Sequence, residues 1–278
     1  MMWQQKQLFE RLINEHVEPQ TAERLRQQLQ LALHGDSSAM VEVARFYKVA
    51  DYLDGMHEWL KNAIDHNDAD GYFELANCFY EGIGVEESIH RALYYYEQAA
   101  QQNHPDAMNN LADMYLNGEG TEINEEAAMA WFIKAANCDV VEAMYTLGIM
   151  YEQGIGTEID EDKAFTYYKM AANGGDSEGL YRIGMIYFNG ELKQNQSYEQ
   201  AMKWFYRAAD IFQVDALYNI AYCYENALGV EKDQQQAIRY YKQAALLEDV
   251  ASMLKLAELY EGVDPQEAEK WRQAARQI

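Results

Sequence analysis

The sequence predicts an all-α fold built from tandem helical hairpins. An Ala-Ala pair recurs in register at spacings of 36, 36, 37 and 36 residues, and a period of this length is typical of helical repeat arrays. A second motif recurs with the same period. It consists of a Leu or Ile, a small residue and an aromatic residue at i, i+1 and i+4, and these three residues share one face of an α-helix. Only three prolines interrupt the chain, so most of its backbone can be helical.

Each repeat contains two helices, which we call helix A and helix B. Helix A carries the aromatic motif, and its small residues are Ala76, Ala112, Gly148, Gly184, Ala221 and Ala257. Helix B carries the Ala-Ala pairs, which are Ala99-Ala100, Ala135-Ala136, Ala171-Ala172, Ala208-Ala209 and Ala244-Ala245. Good N-cap residues precede helix B in every unit: Ser88, Asn124, Asp160, Ser197, Asp233 and, before Pro265, Asp264.

A glycine-rich turn joins helix A to helix B. It contains Gly82 and Gly84, Gly118 and Gly120, and Gly154 and Gly156 in three successive units. We expect these glycines to end helix A with a positive φ. A phosphate-binding loop is disfavoured, because no strand precedes the turn and a glutamate follows it.

Composition excludes several classes of partner. The chain has 22 basic and 46 acidic residues, and its net charge of −24 would repel nucleic acid and anionic membranes. Its three cysteines form no C-x-x-C pair and indicate a reducing compartment. Charges interrupt the N-terminal stretch, and no apolar run is long enough to span a membrane. We therefore expect a soluble, cytoplasmic protein.

The repeats resemble those of the Sel1-like repeat family, relatives of the tetratricopeptide repeats. Units of that family carry a Leu-Gly-x-x-Tyr helix, a Gly-x-Gly turn and a Lys-Ala-Ala helix, and Lys134-Ala135-Ala136 with Leu147-Gly148 and Tyr151 is a close match. The resemblance implies a right-handed α-α superhelix, that is, a solenoid of Sel1-like helical hairpins. It does not extend to the cysteine-rich secreted members, because their paired cysteines are missing here.

We expect the following division of the chain. A helical pair that caps the amino-terminal end covers 1–36, and a degenerate repeat covers 37–68. Full repeats cover 69–104, 105–140, 141–176, 177–213 and 214–249, and a short repeat covers 250–278. Polar ends of this kind are needed because each repeat buries its apolar faces only against its neighbours.

A second stripe of helix A is the candidate binding site. Its residues lie at offsets −3, +1 and +4 from the small residue, away from the core face, and in tandem helical repeats this stripe lines the concave surface. We call it the helix A stripe, and its proposed binding residues are Phe73, Asn77, Tyr80, Asn109, Asp113, Tyr145, Ile149, Glu152, Tyr181, Met185, Phe188, Tyr218, Tyr222, Glu225, Leu254 and Glu258. Alternatively, neighbouring A helices bury these side chains against each other.

These features predict a non-catalytic adaptor that holds a segment of a partner protein. Rings and carboxylates in one groove favour a peptide with apolar anchors and Lys or Arg. The alternative is a self-associating module that forms a homodimer through the C-terminal edge near Trp271. An enzyme with an unrecognised site is a minor alternative.

No catalytic, metal or cofactor site is predicted. The six histidines lack the i, i+4 spacing of a helical metal pair and are expected at the surface. Cys78 and Cys223 are expected to be packed thiols and Cys138 to be accessible. The acidic run at Asp160 lacks the alternating ligands and central glycine of a calcium loop.

Overall fold

A computed structural model describes the backbone of residues 2–278 and the side chains from Gln7 onward. Residues 2–278 contain sixteen α-helices and no strand, and consecutive helices pack in pairs. The predicted all-α solenoid of helical hairpins is therefore confirmed. The chain divides into two compact units, of which the first ends at Val140 and the second comprises Val141–Ile278.

Unit 1 contains the first eight helices. They are α1 (Met2–His16), α2 (Pro19–Leu33), α3 (Ser37–Val49), α4 (Leu53–Asp65), α5 (Ala69–Glu81), α6 (Ile89–Gln101), α7 (Pro105–Asn117) and α8 (Glu125–Ala136). From α3 onward, each odd-numbered helix is a helix A and packs against the helix B that follows it.

Unit 2 continues the same alternation through four hairpins. Its helices are α9 (Val141–Gln153), α10 (Glu161–Gly174), α11 (Ser177–Asn189), α12 (Tyr198–Ala209), α13 (Val214–Asn226), α14 (Gln234–Leu246), α15 (Val250–Tyr260) and α16 (Pro265–Ala275). Each helix B also packs against the helix A of the next hairpin within the unit.

The small residue of helix A makes room for a buried ring of helix B. A Cβ added at Gly148 would lie 2.5 Å from Cδ1 of Tyr168, and one at Gly184 would lie 2.5 Å from Cε1 of Phe205. The ring therefore rests directly on the backbone of helix A. The buried rings at this position are Tyr96, Phe132, Tyr168, Phe205 and Tyr241.

The two glycines of the turn have different tasks. Gly82 and Gly118 end helix A in the left-handed conformation, as predicted, and Ala227 adopts the same conformation with φ 58°. The second glycine also has a positive φ, and a Cβ at Gly120 would lie 3.1 Å from Cγ2 of Ile89 on the preceding helix B. The second position therefore also allows the turn to touch the preceding hairpin closely.

Side-chain caps begin most B helices. Asn124 accepts a hydrogen bond from the backbone N–H of Ala127, and Asp160, Ser197, Asp233 and Asp264 act in the same way. The prediction for Ser88 was wrong: it occupies the N-cap position, but its side chain makes no capping hydrogen bond.

Candidate protein-binding surface

The helix A stripe is accessible in both units. None of its predicted residues is buried: Tyr80, Leu254 and Glu258 are exposed, and the others are half-buried. The alternative in which neighbouring helices bury the stripe would require sealed side chains at Tyr145, Tyr181 and Tyr218, and each of these is half-buried.

The half-buried rings of the stripe stand on buried rings of helix B. In unit 2 the ring centroids lie 5.4 Å apart for Tyr145 and Tyr168, and 5.3 Å apart for Tyr218 and Tyr241. Tyr181 lies 5.9 Å from Phe205 in the same way. Packing on one side limits the freedom of these rings, so less entropy is lost when a ligand contacts their other side.

A buried tyrosine of helix B also reaches the polar part of the stripe in unit 2. The Tyr168 hydroxyl donates to Glu152 at 2.6 Å, and the Tyr241 hydroxyl donates to Glu225 at 2.8 Å. Burial, followed by the bonded glutamate, raises the pKa of both tyrosines, so the hydroxyls keep their protons and donate. The two hairpins thus hold a carboxylate at offset +4 in the same way.

The next helix A then supplies a cation to that carboxylate. Arg182 forms ion pairs with Glu152 and Glu191, and its guanidinium carbon lies 5.6 Å from the ring centroid of Tyr168. Lys255 lies 4.0 Å from Glu225 and 3.0 Å from Glu258. Both bases occur at offset −2 of their helix, a position that the sequence analysis did not include in the site.

Unit 1 arranges the corresponding side chains differently. The Tyr96 hydroxyl donates to Oδ1 of Asn77 at 2.6 Å, and the Tyr80 hydroxyl donates to Oε2 of Glu119 at 2.9 Å. Asn109 donates to Asp113 at 3.3 Å. Asn77, Tyr80, Tyr96, Asp113 and Glu119 line a polar pocket of about 370 Å³ between α5 and α7.

The pocket of unit 1 is acidic. Its lining includes the carboxylates of Glu81, Asp113 and Glu119 and no basic side chain. Burial raises the pKa of Asp113 to about 6, and the nearby charge of Glu119 adds to the shift. Ionisation of the Asp113 carboxyl group is therefore less favourable in this pocket than in water.

Two histidines are buried, which corrects the expectation that all six lie at the surface. His57 hydrogen-bonds the carbonyl of Ile83 at 2.8 Å, and His104 stacks on Phe73 with ring centroids 4.3 Å apart. Nδ1 of His104 also accepts a hydrogen bond from the N–H of Ala107 and caps α7. His104 therefore fixes Phe73 of the helix A stripe.

The three cysteines differ in their exposure to solvent. Cys78 and Cys223 are buried, and burial raises their pKa to about 11 and about 12, whereas Cys138 is exposed. The side chains of residues 7–278 include no group of three or more His, Cys, Asp or Glu that could hold a metal ion. Within the same range, no helix is both long and apolar enough to cross a membrane.

The hairpins and the accessible stripe define a tandem helical repeat protein. The model of the Sel1 repeat family matches residues 69–104, 105–140, 141–176, 177–210 and 214–249, which is more than half of the chain. The chain therefore belongs to the Sel1 repeat family. Sel1 repeat proteins are generally scaffolds for protein interactions, and the family is generally non-catalytic.

Solved structures show the same fold. The crystal structure of c5321, a protective antigen present in uropathogenic Escherichia coli strains, matches 91% of this chain at 23% identity with a TM-score of 0.86. This chain spans only 56% of c5321. A Sel1 repeat protein from Oxalobacter formigenes matches 85% of this chain and 96% of its own length at 24% identity, with a TM-score of 0.73. A search of curated proteins gave no match.

Proposed function

We propose that this protein is a non-catalytic, cytoplasmic scaffold that binds a segment of a partner protein along the helix A stripe. The observation that carries the proposal is the repeated support of Tyr145, Tyr181 and Tyr218 by buried rings. The core does not require a second layer of half-exposed rings, whereas a binding surface benefits from rings held in place.

The proposed segment combines apolar anchors with Lys or Arg. Burying one large apolar anchor contributes about 1.5–3 kcal/mol before ordering costs, so several contacts are needed for micromolar binding. The net charge of −24 adds long-range attraction for a basic segment. A segment that crosses successive stripe residues would make such contacts one hairpin at a time.

Selection from a random peptide library displayed on phage tests this proposal. We expect enrichment of peptides that contain basic and apolar residues, with binding lost in a variant carrying Tyr145→Ala, Tyr181→Ala and Tyr218→Ala. The matched control changes the exposed rings of Tyr94 and Phe212, which lie outside the stripe, to alanine. Thermal unfolding by circular dichroism verifies that both variants are folded.

The outcome distinguishes specific binding by the rings of the helix A stripe from nonspecific binding to exposed aromatic side chains. Peptides that bind the triple variant as tightly as the wild type would contradict the proposal. Peptides that lose binding to the Tyr94 and Phe212 control would place their site elsewhere on the molecule and would also contradict it.

Self-association through the C-terminal edge is the second candidate. Trp271 packs against the core cluster around Tyr241 and Leu256, but Leu254 is 53% exposed and Val263 is 80% exposed. Light scattering over a range of protein concentrations tests this candidate. A dimer that Leu254→Glu disrupts would support it, and a monomer at all concentrations would exclude it.

A further inference from the structure

Three hairpins place a tyrosine of helix B beneath the helix A stripe, and in two of these cases the next helix A supplies a cation nearby. Tyr168 is followed by Arg182 and Tyr241 by Lys255, each at offset −2 of the next helix A. For Tyr96 the residue at this offset is Asn110. Unit 1 thus has an uncharged amide where unit 2 has a guanidinium or an ammonium group.

Unit 1 has no base at offset −2 of α7, but it keeps the carboxylate that pairs with this base in unit 2. In unit 2, Arg182 pairs with Glu191, which follows Gly190 at the end of α11. In unit 1, Glu119 follows Gly118 at the end of α7, in the same register of the repeat. Its Oε2 accepts a hydrogen bond from Tyr80, which leaves further acceptor capacity on the carboxylate.

Asp113 adds a second carboxylate to the same pocket. It lies on α7 at offset +1, where α11 carries the apolar Met185. Among residues 7–278, the charged group that acts on Asp113 most strongly is Glu119, which has the same sign. Two carboxylates that face one polar pocket without a neighbouring base attract an external cation.

We propose that the pocket between α5 and α7 binds an arginine side chain of the partner, with the guanidinium at the place that Arg182 occupies in unit 2. The proposal rests on the proposed function and identifies one anchor of the bound segment. Unit 2 provides the model for this interaction. There Arg182 of the chain itself lies between the carboxylates of Glu152 and Glu191 and beside the ring of Tyr168.

The pocket favours arginine over lysine. A planar guanidinium can donate to Asp113 and Glu119 at the same time, whereas an ammonium group acts as a compact point charge. Tyr80 and Tyr96, whose ring centroids lie 6.5 Å apart, provide aromatic surface beside the carboxylates. A volume of about 370 Å³ accommodates the head group and part of its aliphatic stem.

A titration with capped amino acids tests the proposal without an identified partner. The probe is Nα-acetyl-arginine methylamide, added to ¹⁵N-labelled full chain and followed by two-dimensional NMR. Its neutral control is the citrulline derivative, which has nearly the same shape without the charge. We expect roughly millimolar affinity for the arginine probe, with shifts in α5 and α7, and at least tenfold weaker binding of citrulline.

Matched variants locate the site. Asp113→Asn with Glu119→Gln should weaken the arginine probe at least tenfold, because both acceptors lose their charge. Glu122→Gln with Glu126→Gln removes the same charge from exposed residues nearby and should leave the affinity within about twofold. Asn110→Arg should abolish binding of the probe by filling the pocket from within.

Several outcomes would overturn the proposal. Equal affinity for the citrulline probe would remove the role of charge, and equal affinity for the corresponding lysine probe would remove the preference for guanidinium. Absence of shifts in α5 and α7 of the wild type would exclude the pocket. Failure of the proposed function is detected separately, since it depends on peptide binding by Tyr145, Tyr181 and Tyr218 in unit 2.

Discussion

Unit 1 and unit 2 are built from the same type of hairpin but differ in how their carboxylates are paired. In unit 2, Glu152 is satisfied within the chain by Tyr168 and Arg182. In unit 1, the Tyr96 hydroxyl donates to the neutral Asn77, and the carboxylates of Asp113 and Glu119 line the same pocket. The scaffold is common to both, so the difference depends on a few substitutions at surface offsets.

The comparison shows how a repeat array acquires distinct sites along its length. The core offsets stay apolar or aromatic because they pack against helix B, whereas offsets −2, +1 and +4 can change without disturbing the core. The hairpin of Phe205 is a further example. The Phe205 ring has no hydroxyl, and the residue at offset +4 in that hairpin is the apolar Phe188 instead of a glutamate. In this hairpin the ring of helix B and the side chain at offset +4 are therefore both apolar.

The largest effect is expected for Arg182→Asn, which converts unit 2 to the pattern of unit 1. Arg182, Glu152 and Glu191 form a half-buried network, and removal of the base leaves two carboxylates without their cation. We expect a loss of about 2–3 kcal/mol in the free energy of unfolding, measured by urea denaturation.

Lys203→Asn provides the control, since it removes an exposed base from α12 in the same unit. Its effect should stay within about 0.5 kcal/mol. A loss for Arg182→Asn that is no larger than that of the control would show that unit 2 does not depend on an internal cation.

A smaller effect is expected for removal of the tyrosine hydroxyl. Tyr168→Phe deletes a bond to the charged Glu152 and should cost about 1.5 kcal/mol, whereas Tyr96→Phe deletes a bond to the neutral Asn77 and should cost about 1 kcal/mol or less. Urea denaturation of both variants measures the difference. If Tyr96→Phe were the more damaging change, the two units would not differ in the way described.

Sequence periodicity could predict the fold because its signals are local. The Ala-Ala pairs, the caps and Gly82 act within one hairpin, where spacing along the chain determines which residues meet. The exposure of the helix A stripe also follows from its offset. The failure at Ser88 is different: its identity suits a cap, but its side chain makes no capping bond.

The charges of the site could not be predicted in the same way. Arg182 and Glu152 are 30 residues apart and meet because consecutive hairpins stack. Their pairing appears in the sequence only as a joint pattern of Tyr168, Glu152 and Arg182, which Tyr241, Glu225 and Lys255 repeat. His104 was missed because histidine is an uncommon cap, although it occupies the cap position before Pro105.

The smallest change in stability, and the sharpest test of the comparison, is expected for Asn110→Arg, which gives unit 1 the cation of unit 2. In the wild type the pKa of Asp113 is raised to about 6, above its unfolded value near 3.9. A raised pKa means that the folded state binds the proton more tightly, so the contribution of Asp113 to stability is lost as the pH rises from about 4 through about 6. The arginine faces Asp113 together with Glu119 and Glu81 and should lower that pKa.

The same substitution should therefore flatten the pH dependence and add about 0.5 kcal/mol to the free energy of unfolding at pH 7. Carboxyl ¹³C titration measures the pKa, and urea denaturation between pH 4 and 7 measures the slope. Asn137→Arg adds the same charge at an exposed residue after α8 and should leave the pKa of Asp113 in place. A guanidinium close to a half-buried carboxylate favours the ionised form of that carboxylate. If the pKa of Asp113 remained near 6 in Asn110→Arg, the side chain at offset −2 of α7 would therefore not reach the pocket. The correspondence between Asn110 and Arg182 would then be wrong.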